Sequence, residues 1–264
     1  LSRRVADEVG QNLVVKPGVR TTGNVDFYVT CFGYHNEPHV VEDMISVINH
    51  NGVPVKVLKD AKCCGMPKLE LGDLNKVEKL KDANLPIFLA AIDDGYDIMA
   101  PIPSCVLMYK QELPLMFPDD EDVARVRAAF FDPFEYLMLR HKDDLVNTDF
   151  ENPLGKVAYH VACHQRVQSF GMKTRDFLNL IPDTEVTAIE RCSGHDGTYA
   201  LKSETYEKAK KIARPVVNRV KQAEPDTFGS DCPMAGRLIA DGLDETNPAN
   251  AEHPVSMVRR AYGV

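Results

Sequence analysis

Apolar and polar positions change register repeatedly along this chain, in short blocks that predict strands and helices in alternation. Val25 to Thr30 reads as a strand ending at Cys31, and Pro38 to Asn51 as a helix with Val40, Met44, Val47 and Ile48 on one face. A second strand, Val53 to Leu58, runs into Lys62-Cys63-Cys64-Gly65. Leu74 to Ile92 then has helical periodicity, and Asp97 to Pro101 is a short buried strand leading to Pro103-Ser104-Cys105. Two further helical segments fill Pro118 to His141. The acidic run Asp119 to Asp122 is expected to cap the first, and Asp132-Pro133 supplies cap and first turn for the second. Met99, Met108 and Met116 are expected to pack in the core or at its rim.

From Lys156 the plan recurs. Strand Lys156 to Val161 leads to Cys163, strand Glu185 to Glu190 to Cys192-Ser193-Gly194, and strand Asp226 to Ser230 to Asp231-Cys232-Pro233. Positions 31, 63 and 105 thus correspond to 163, 192 and 232, at offsets of 132, 129 and 127. The expected organisation is an N-terminal lead or linker over 1–24, a first half over 25–144, a linker over 145–155 and a second half over 156–264. Strands alternating with helices indicate βαβ units with right-handed crossovers. The fold class is therefore α/β, two pseudo-symmetric halves each with a mainly parallel sheet. In open sheets of this kind ligands bind beyond the carboxyl ends of the strands, where all the cysteines fall. Helices expected to begin after Cys31, Cys105, Cys163 and Cys232 would aim backbone N–H groups at whatever the sulfurs hold.

Composition narrows the function. Hydrophobic residues make up 44% of 264, enough for a buried core. No stretch approaches the roughly 18 consecutive apolar residues of a membrane span, and the start lacks the apolar run of a signal peptide. The chain is expected to be cytoplasmic, peripheral to a membrane at most through a partner. A net charge of −8 leaves no electrostatic footprint for a phosphate backbone, so nucleic acid is not an expected partner. Seven cysteines are an odd number for a disulfide framework and point to reduced thiols.

Cys31, Cys63, Cys64 and Cys105 match the ligand count of a 4Fe-4S cluster or of a structural zinc site. Their wide spacing argues against zinc ribbons, and adjacent Cys63 and Cys64 could close only a strained vicinal disulfide. Cys163, Cys192 and Cys232 are one thiolate short of four. Imidazole can complete such a set, and His195, in the Gly-flanked turn Cys192-Ser193-Gly194-His195-Asp196-Gly197, is the preferred fourth ligand, ahead of His160 and His164. The second half is read as a mixed Cys/His cluster, another metal site, or an empty copy.

The motifs Thr30-Cys31, Lys62-Cys63-Cys64-Gly65-Met66-Pro67, Pro103-Ser104-Cys105, His160-Val161-Ala162-Cys163-His164, Cys192-Ser193-Gly194 and Cys232-Pro233 resemble the tandem cysteine-rich "CCG" domains of the heterodisulfide reductase B-subunit. They are also similar to the C-subunit of anaerobic glycerol-3-phosphate dehydrogenase and to the iron-sulfur component of lactate-utilisation oxidases. The resemblance implies an electron-transfer subunit of an oxidoreductase, with a 4Fe-4S cluster bound by the CCG motif. It also implies a redox partner that is a dehydrogenase, a reductase or a rubrerythrin-like protein, and in many relatives an upstream ferredoxin-like module. Three departures stand out. Met108 and Ala235 occupy the place of a fifth cysteine in each half, and Ser193 that of a paired cysteine. A noncubane cluster needing five thiolates is therefore not expected. The alternative from another class is a zinc-binding or metal-free assembly module without redox activity.

Overall fold

A computed structural model of the chain describes residues 13–243 and 251–264. They form two compact units, divided between Asn147 and Thr148. In the first unit the elements run β1 (Val25–Phe27), α1 (Cys31–His35), α2 (Pro38–His50), β2 (Val55–Val57), α3 (Met66–Glu70), α4 (Leu74–Asp93), β3 (Asp97–Met99) and α5 (Pro103–Leu107). A π-helical segment (Met108–Glu112), α6 (Leu113–Met116), α7 (Glu121–Ala129), β4 (Phe130–Phe131) and α8 (Pro133–His141) follow. The second unit has β5 (Gly155–His160), α9 (Cys163–Arg166), α10 (Lys173–Leu178), β6 (Thr184–Ile189), a 3-10 turn (Tyr199–Leu201), α11 (Ser203–Ala223), β7 (Thr227–Ser230), α12 (Pro233–Leu243) and α13 (Pro254–Tyr262).

Both sheets are wholly parallel, in the order β2-β1-β3-β4 and β6-β5-β7. The first strand of each unit therefore lies between its second and its third. The α/β class and the repeated plan read from the sequence are what the structure shows. Several strands are shorter than expected. β1 stops at Phe27 rather than Thr30, because Thr30 turns to φ 67°, ψ 162° and caps α1, its Oγ1 accepting from the Gly33 N–H at 3.1 Å. A positive φ at a β-branched residue is strained. That strain lies directly before Cys31.

The helices follow their signals. α2 buries Val40, Val41, Met44, Ile45, Val47 and Ile48. Asp120 caps α7 by accepting from the Asp122 and Val123 N–H groups, and Asp132 with Glu135 forms a capping box for α8. Met99 and Met108 are fully buried, and Met116 packs against the same core. One expectation is corrected. Cys105 lies inside α5 rather than ahead of it, because Pro103, which has no N–H to lose, starts the helix two residues earlier. Cys31 and Cys163 are likewise the first residues of their helices, and Cys232 alone precedes its helix.

The stretch expected to be a lead is fastened to the first unit from Lys16 onward. The Arg140 guanidinium, 1% exposed, donates to the Lys16 carbonyl and the Thr21 hydroxyl, and Asp97 accepts from the Thr22 N–H and hydroxyl. Residues 1–12 lie outside the described residues. No helix among the described residues is long and apolar enough to cross a membrane.

Candidate metal centre

In the first unit the chain ends of β1, β2 and β3 deliver four thiols to one place. The Cys31 thiol donates to Cys63 with the sulfurs 3.8 Å apart. Cys64 and Cys105 are electrostatic neighbours of that pair. The four run from exposed Cys31 through half-buried Cys63 to buried Cys64 and Cys105. Hydrogen bonds from Cys31 and Cys64, helped by the Gly65 N–H and the charge of Lys68, hold the Cys63 thiol well below the usual range. The bond to Cys63 pushes Cys31 up, and the bonds to Cys105 and Cys63 push Cys64 up.

The local backbone explains this placement. Gly65, at φ 96°, turns the chain from Cys64 into α3, a conformation other residues rarely adopt. Beneath it, Asn84 of α4 is fully buried and clamps the segment before Cys64. Its Oδ1 accepts from the Lys62 N–H at 2.6 Å, and its Nδ2 donates to the Cys63 carbonyl at 3.2 Å and to the Tyr109 hydroxyl at 2.7 Å. The Tyr28 hydroxyl donates to the Lys62 carbonyl. Tyr28, Phe88, Tyr109 and Phe130 pack ring against ring as the floor of the site. Neither Asn84 nor this aromatic floor was marked by the sequence reading. The signal available was a polar residue on the apolar face of α4.

The second unit repeats the placement with three thiols. Cys163 and Cys192 are exposed and Cys232 is partly buried. Cys163 is raised by desolvation and then by the neighbouring charge of Cys192, and Cys232 is pushed up to about 11 by burial, with Cys163 among the lesser causes. The Ala235 and Met234 N–H groups at the start of α12 oppose that rise by donating to the Cys232 sulfur. The Gly194 N–H donates to Cys192 at 3.4 Å. Gly194, at φ 77°, lies so close to α11 that a Cβ there would come within 2.4 Å of the Ala209 carbonyl.

The three histidines part company. His195 is 6% exposed, its Nε2 is buried without a hydrogen-bond partner, and desolvation lowers its pKa against the opposing charge of Asp196. His160 has no exposure, and both ring nitrogens are engaged, Nδ1 with Ser230 and Nε2 with the Arg191 carbonyl. It is a strut joining β5, β7 and the segment after β6. His164, half-buried beside Cys163, accepts from the Gln168 side chain through its carbonyl. A buried network unmarked by the sequence reading supports these loops. The Tyr159 hydroxyl bonds to the Asp231 carboxylate and the Gln165 amide oxygen, Gln165 donates to Thr174, and Thr174 donates to Asp231, which adjoins Cys232. Among the described residues no three His, Cys, Asp or Glu side chains are grouped closely enough to hold one metal ion. Met108 and Ala235, at the places of a fifth thiol, are packed in the core.

Comparison with known proteins agrees with this doubled placement. The Cysteine-rich domain family (CCG) matches residues 25–110 and again 157–234, together more than half of the chain. The chain belongs to the CCG family. Among curated proteins it is 28% identical over 240 residues to the anaerobic glycerol-3-phosphate dehydrogenase C-subunit of Escherichia coli, covering 90% of this chain and 59% of that one. It is 25% identical over 248 residues to the fumarate reductase (CoM/CoB) B-subunit of Methanothermobacter marburgensis, covering 92% and 47%. An uncharacterized iron-sulfur protein of Methanocaldococcus jannaschii is 28% identical over 230 residues, with 86% and 43% covered. The chain thus spans about half the length of these relatives. Each CCG match ends close to the last cysteine of its unit, so both sets of thiols lie inside the family's own segments.

Proposed function

We propose that this CCG chain is the iron-sulfur electron-relaying part of an oxidoreductase, with a 4Fe-4S cluster held by Cys31, Cys63, Cys64 and Cys105. The observation that carries the reading is the gathering of four cysteines at the mouth of one parallel sheet, with the Cys31 and Cys63 sulfurs 3.8 Å apart and Cys64 and Cys105 their electrostatic neighbours. The donor set fits the group: four soft thiolates suit a cubane cluster, which supplies one-electron transfer when bound. The chain's own part is to fix the ligands and shape the surroundings. Asn84 and Gly65 hold the Cys63-Cys64 backbone, and the aromatic floor keeps water from the inner face. Burial, hydrogen bonds to sulfur and local charge then set the potential.

In the second unit Cys163, Cys192 and Cys232 with the free Nε2 of His195 form a mixed set for a cluster or another thiophilic metal. With Met108 and Ala235 in place of thiols, a five-thiolate cluster is one donor short in the first unit and further short in the second. The redox partner would be a dehydrogenase or reductase, as the names of the relatives indicate for those proteins. The test is iron, sulfide and zinc analysis of anaerobically purified protein, with its electron paramagnetic resonance spectrum. Iron and sulfide in equal amounts, with a signal on reduction, support the reading. Stoichiometric zinc without iron would replace it with the assembly-module alternative.

A further inference from the structure

The four thiols of the first set differ in their access to solvent and in how close they come to one another. Cys31 is exposed and Cys63 half-buried, and their sulfurs lie 3.8 Å apart. Cys64 and Cys105 are 3% and 4% exposed and belong to the hydrophobic core of the unit. A dissolved reagent that attacks sulfur therefore meets Cys31 and Cys63 together, ahead of the other two.

The backbone brings the two segments out side by side. β1 and β2, which lead to Cys31 and Cys63, pair in parallel from Val25 with Val55 to Phe27 with Val57, and the Leu58 N–H continues the ladder by donating to the Phe27 carbonyl at 3.0 Å. Neighbouring strands run about 4.8 Å apart, inside the range of roughly 4.4–6.8 Å over which Cα atoms can carry a disulfide. From 3.8 Å to the roughly 2.0 Å of bonded sulfurs is a shift of about 1.8 Å, which rotation about the two Cα–Cβ bonds can supply without moving either strand. The competing pairings are worse placed. Vicinal Cys63 and Cys64 would close a strained ring, and Cys64 with Cys105 is shielded from a dissolved oxidant.

We infer that Cys31 and Cys63 form a redox modification site: in the metal-free chain a low-molecular-weight disulfide oxidises them to a disulfide, which closes the first set to metal until it is reduced. This rests on the reading of the four cysteines as a ligand set and adds to it a regulation of that set. The S–S bond of the small disulfide breaks as a mixed disulfide forms at one protein sulfur, and the other protein sulfur then displaces the second small thiol. In sum two electrons pass from the protein thiols to the small disulfide, and both thiol protons leave with the two small thiols released. The new bond withdraws two of the four donors, because metal is held by thiolate and not by disulfide sulfur. It also spares the exposed sulfur from oxidation to the irreversible sulfinic and sulfonic acids.

The probe is glutathione disulfide, added anaerobically to the full chain after a chelator has removed its metal. Remaining thiols are counted and linked peptides mapped by mass spectrometry. Uptake of ferrous iron with sulfide is then followed before and after dithiothreitol, in a Cys192→Ser background that disables the second set. We expect the parent to lose two of its seven thiols, with the link between Cys31 and Cys63 dominant in native buffer and no link preferred in urea. Cys31→Ser should abolish the link and leave glutathione on Cys63, while Cys105→Ser should keep it. The linked chain should take up no iron until dithiothreitol opens it. A native pattern no different from the one in urea overturns the inference, as does a dominant link from Cys64 to Cys63 or to Cys105. Undiminished iron uptake by the linked chain overturns it too. Iron uptake by the reduced chain with no link under oxidation refutes the modification site and leaves the ligand set standing. The link forming in a chain that, once reduced, takes up neither iron nor zinc upholds the redox pair and refutes the ligand set.

Discussion

Asn84 shows how a single side chain can govern a site without touching its ligands' sulfurs. Its amide satisfies the Lys62 N–H and the Cys63 carbonyl at once, in a position with no access to water. Asn84→Ala leaves those backbone groups and the Tyr109 hydroxyl short of partners, and each buried unsatisfied group costs about 1–3 kcal/mol. We expect the variant to lose about 3 kcal/mol in urea unfolding and to retain less iron after anaerobic reconstitution. Full retention of both would reduce Asn84 to a space-filling role. The cysteines were legible from the sequence because thiols at strand ends repeat with nearly constant spacing. Asn84, Tyr109 and the Tyr159-Gln165-Thr174-Asp231 network were not, because their significance is their partners, which lie 6 to 72 residues away.

The order of elements was legible where the hydrophobic period is clean, as in α2, α4 and the capped α7 and α8. Element ends were not, because they are set by tertiary bonds. Thr30 leaves β1 early to cap α1, the π-helical segment at Met108–Glu112 has no period of its own in the sequence, and β4 is two phenylalanines that pair with β3. β1 also carries a charged residue whose behaviour its strand context explains. Asp26 is raised to about 6, chiefly by desolvation, which the Lys56 charge opposes and Asp94 reinforces, and its Oδ1 is buried without a hydrogen-bond partner. Below about pH 4 both folded and unfolded forms hold the proton and the group contributes nothing. Between about 4 and 6 the unfolded chain ionises first, so stability falls as pH rises, and above 6 the penalty is complete. Asp26→Asn removes that dependence. Its urea midpoint relative to the parent should rise from pH 4 to pH 7, and a constant difference across that range would show that Asp26 ionises normally in the folded state.

At the scale of the whole molecule, one plan is used twice with unequal ligand sets, and the inequality turns on one atom. Cys64 and Ser193 occupy equivalent places after the second strand of each unit, and both are buried, at 3% and 5% exposure. Cys64 has Cys63 and Cys105 as electrostatic neighbours, whereas the Ser193 hydroxyl accepts from the His195 N–H. A serine oxygen is a poor ligand for soft iron, so the second unit has three thiols, and on the proposed reading His195, whose buried Nε2 has no hydrogen-bond partner, would be the remaining donor. Ser193→Cys restores the missing sulfur at small cost in volume, since the site is already buried and the hydroxyl holds only one weak bond. In a chain whose first set is disabled by Cys64→Ser, adding Ser193→Cys should raise iron by about four atoms per chain and give a cluster signal insensitive to His195→Ala. If the second unit of the natural chain already binds a mixed cluster, the gain will be smaller, but the signal will change from His195-dependent to His195-independent. Unchanged iron together with an unchanged spectrum would mean that the second set does not close on a metal even with four thiols. The second unit would then keep its cysteines in the family's places without holding a cluster.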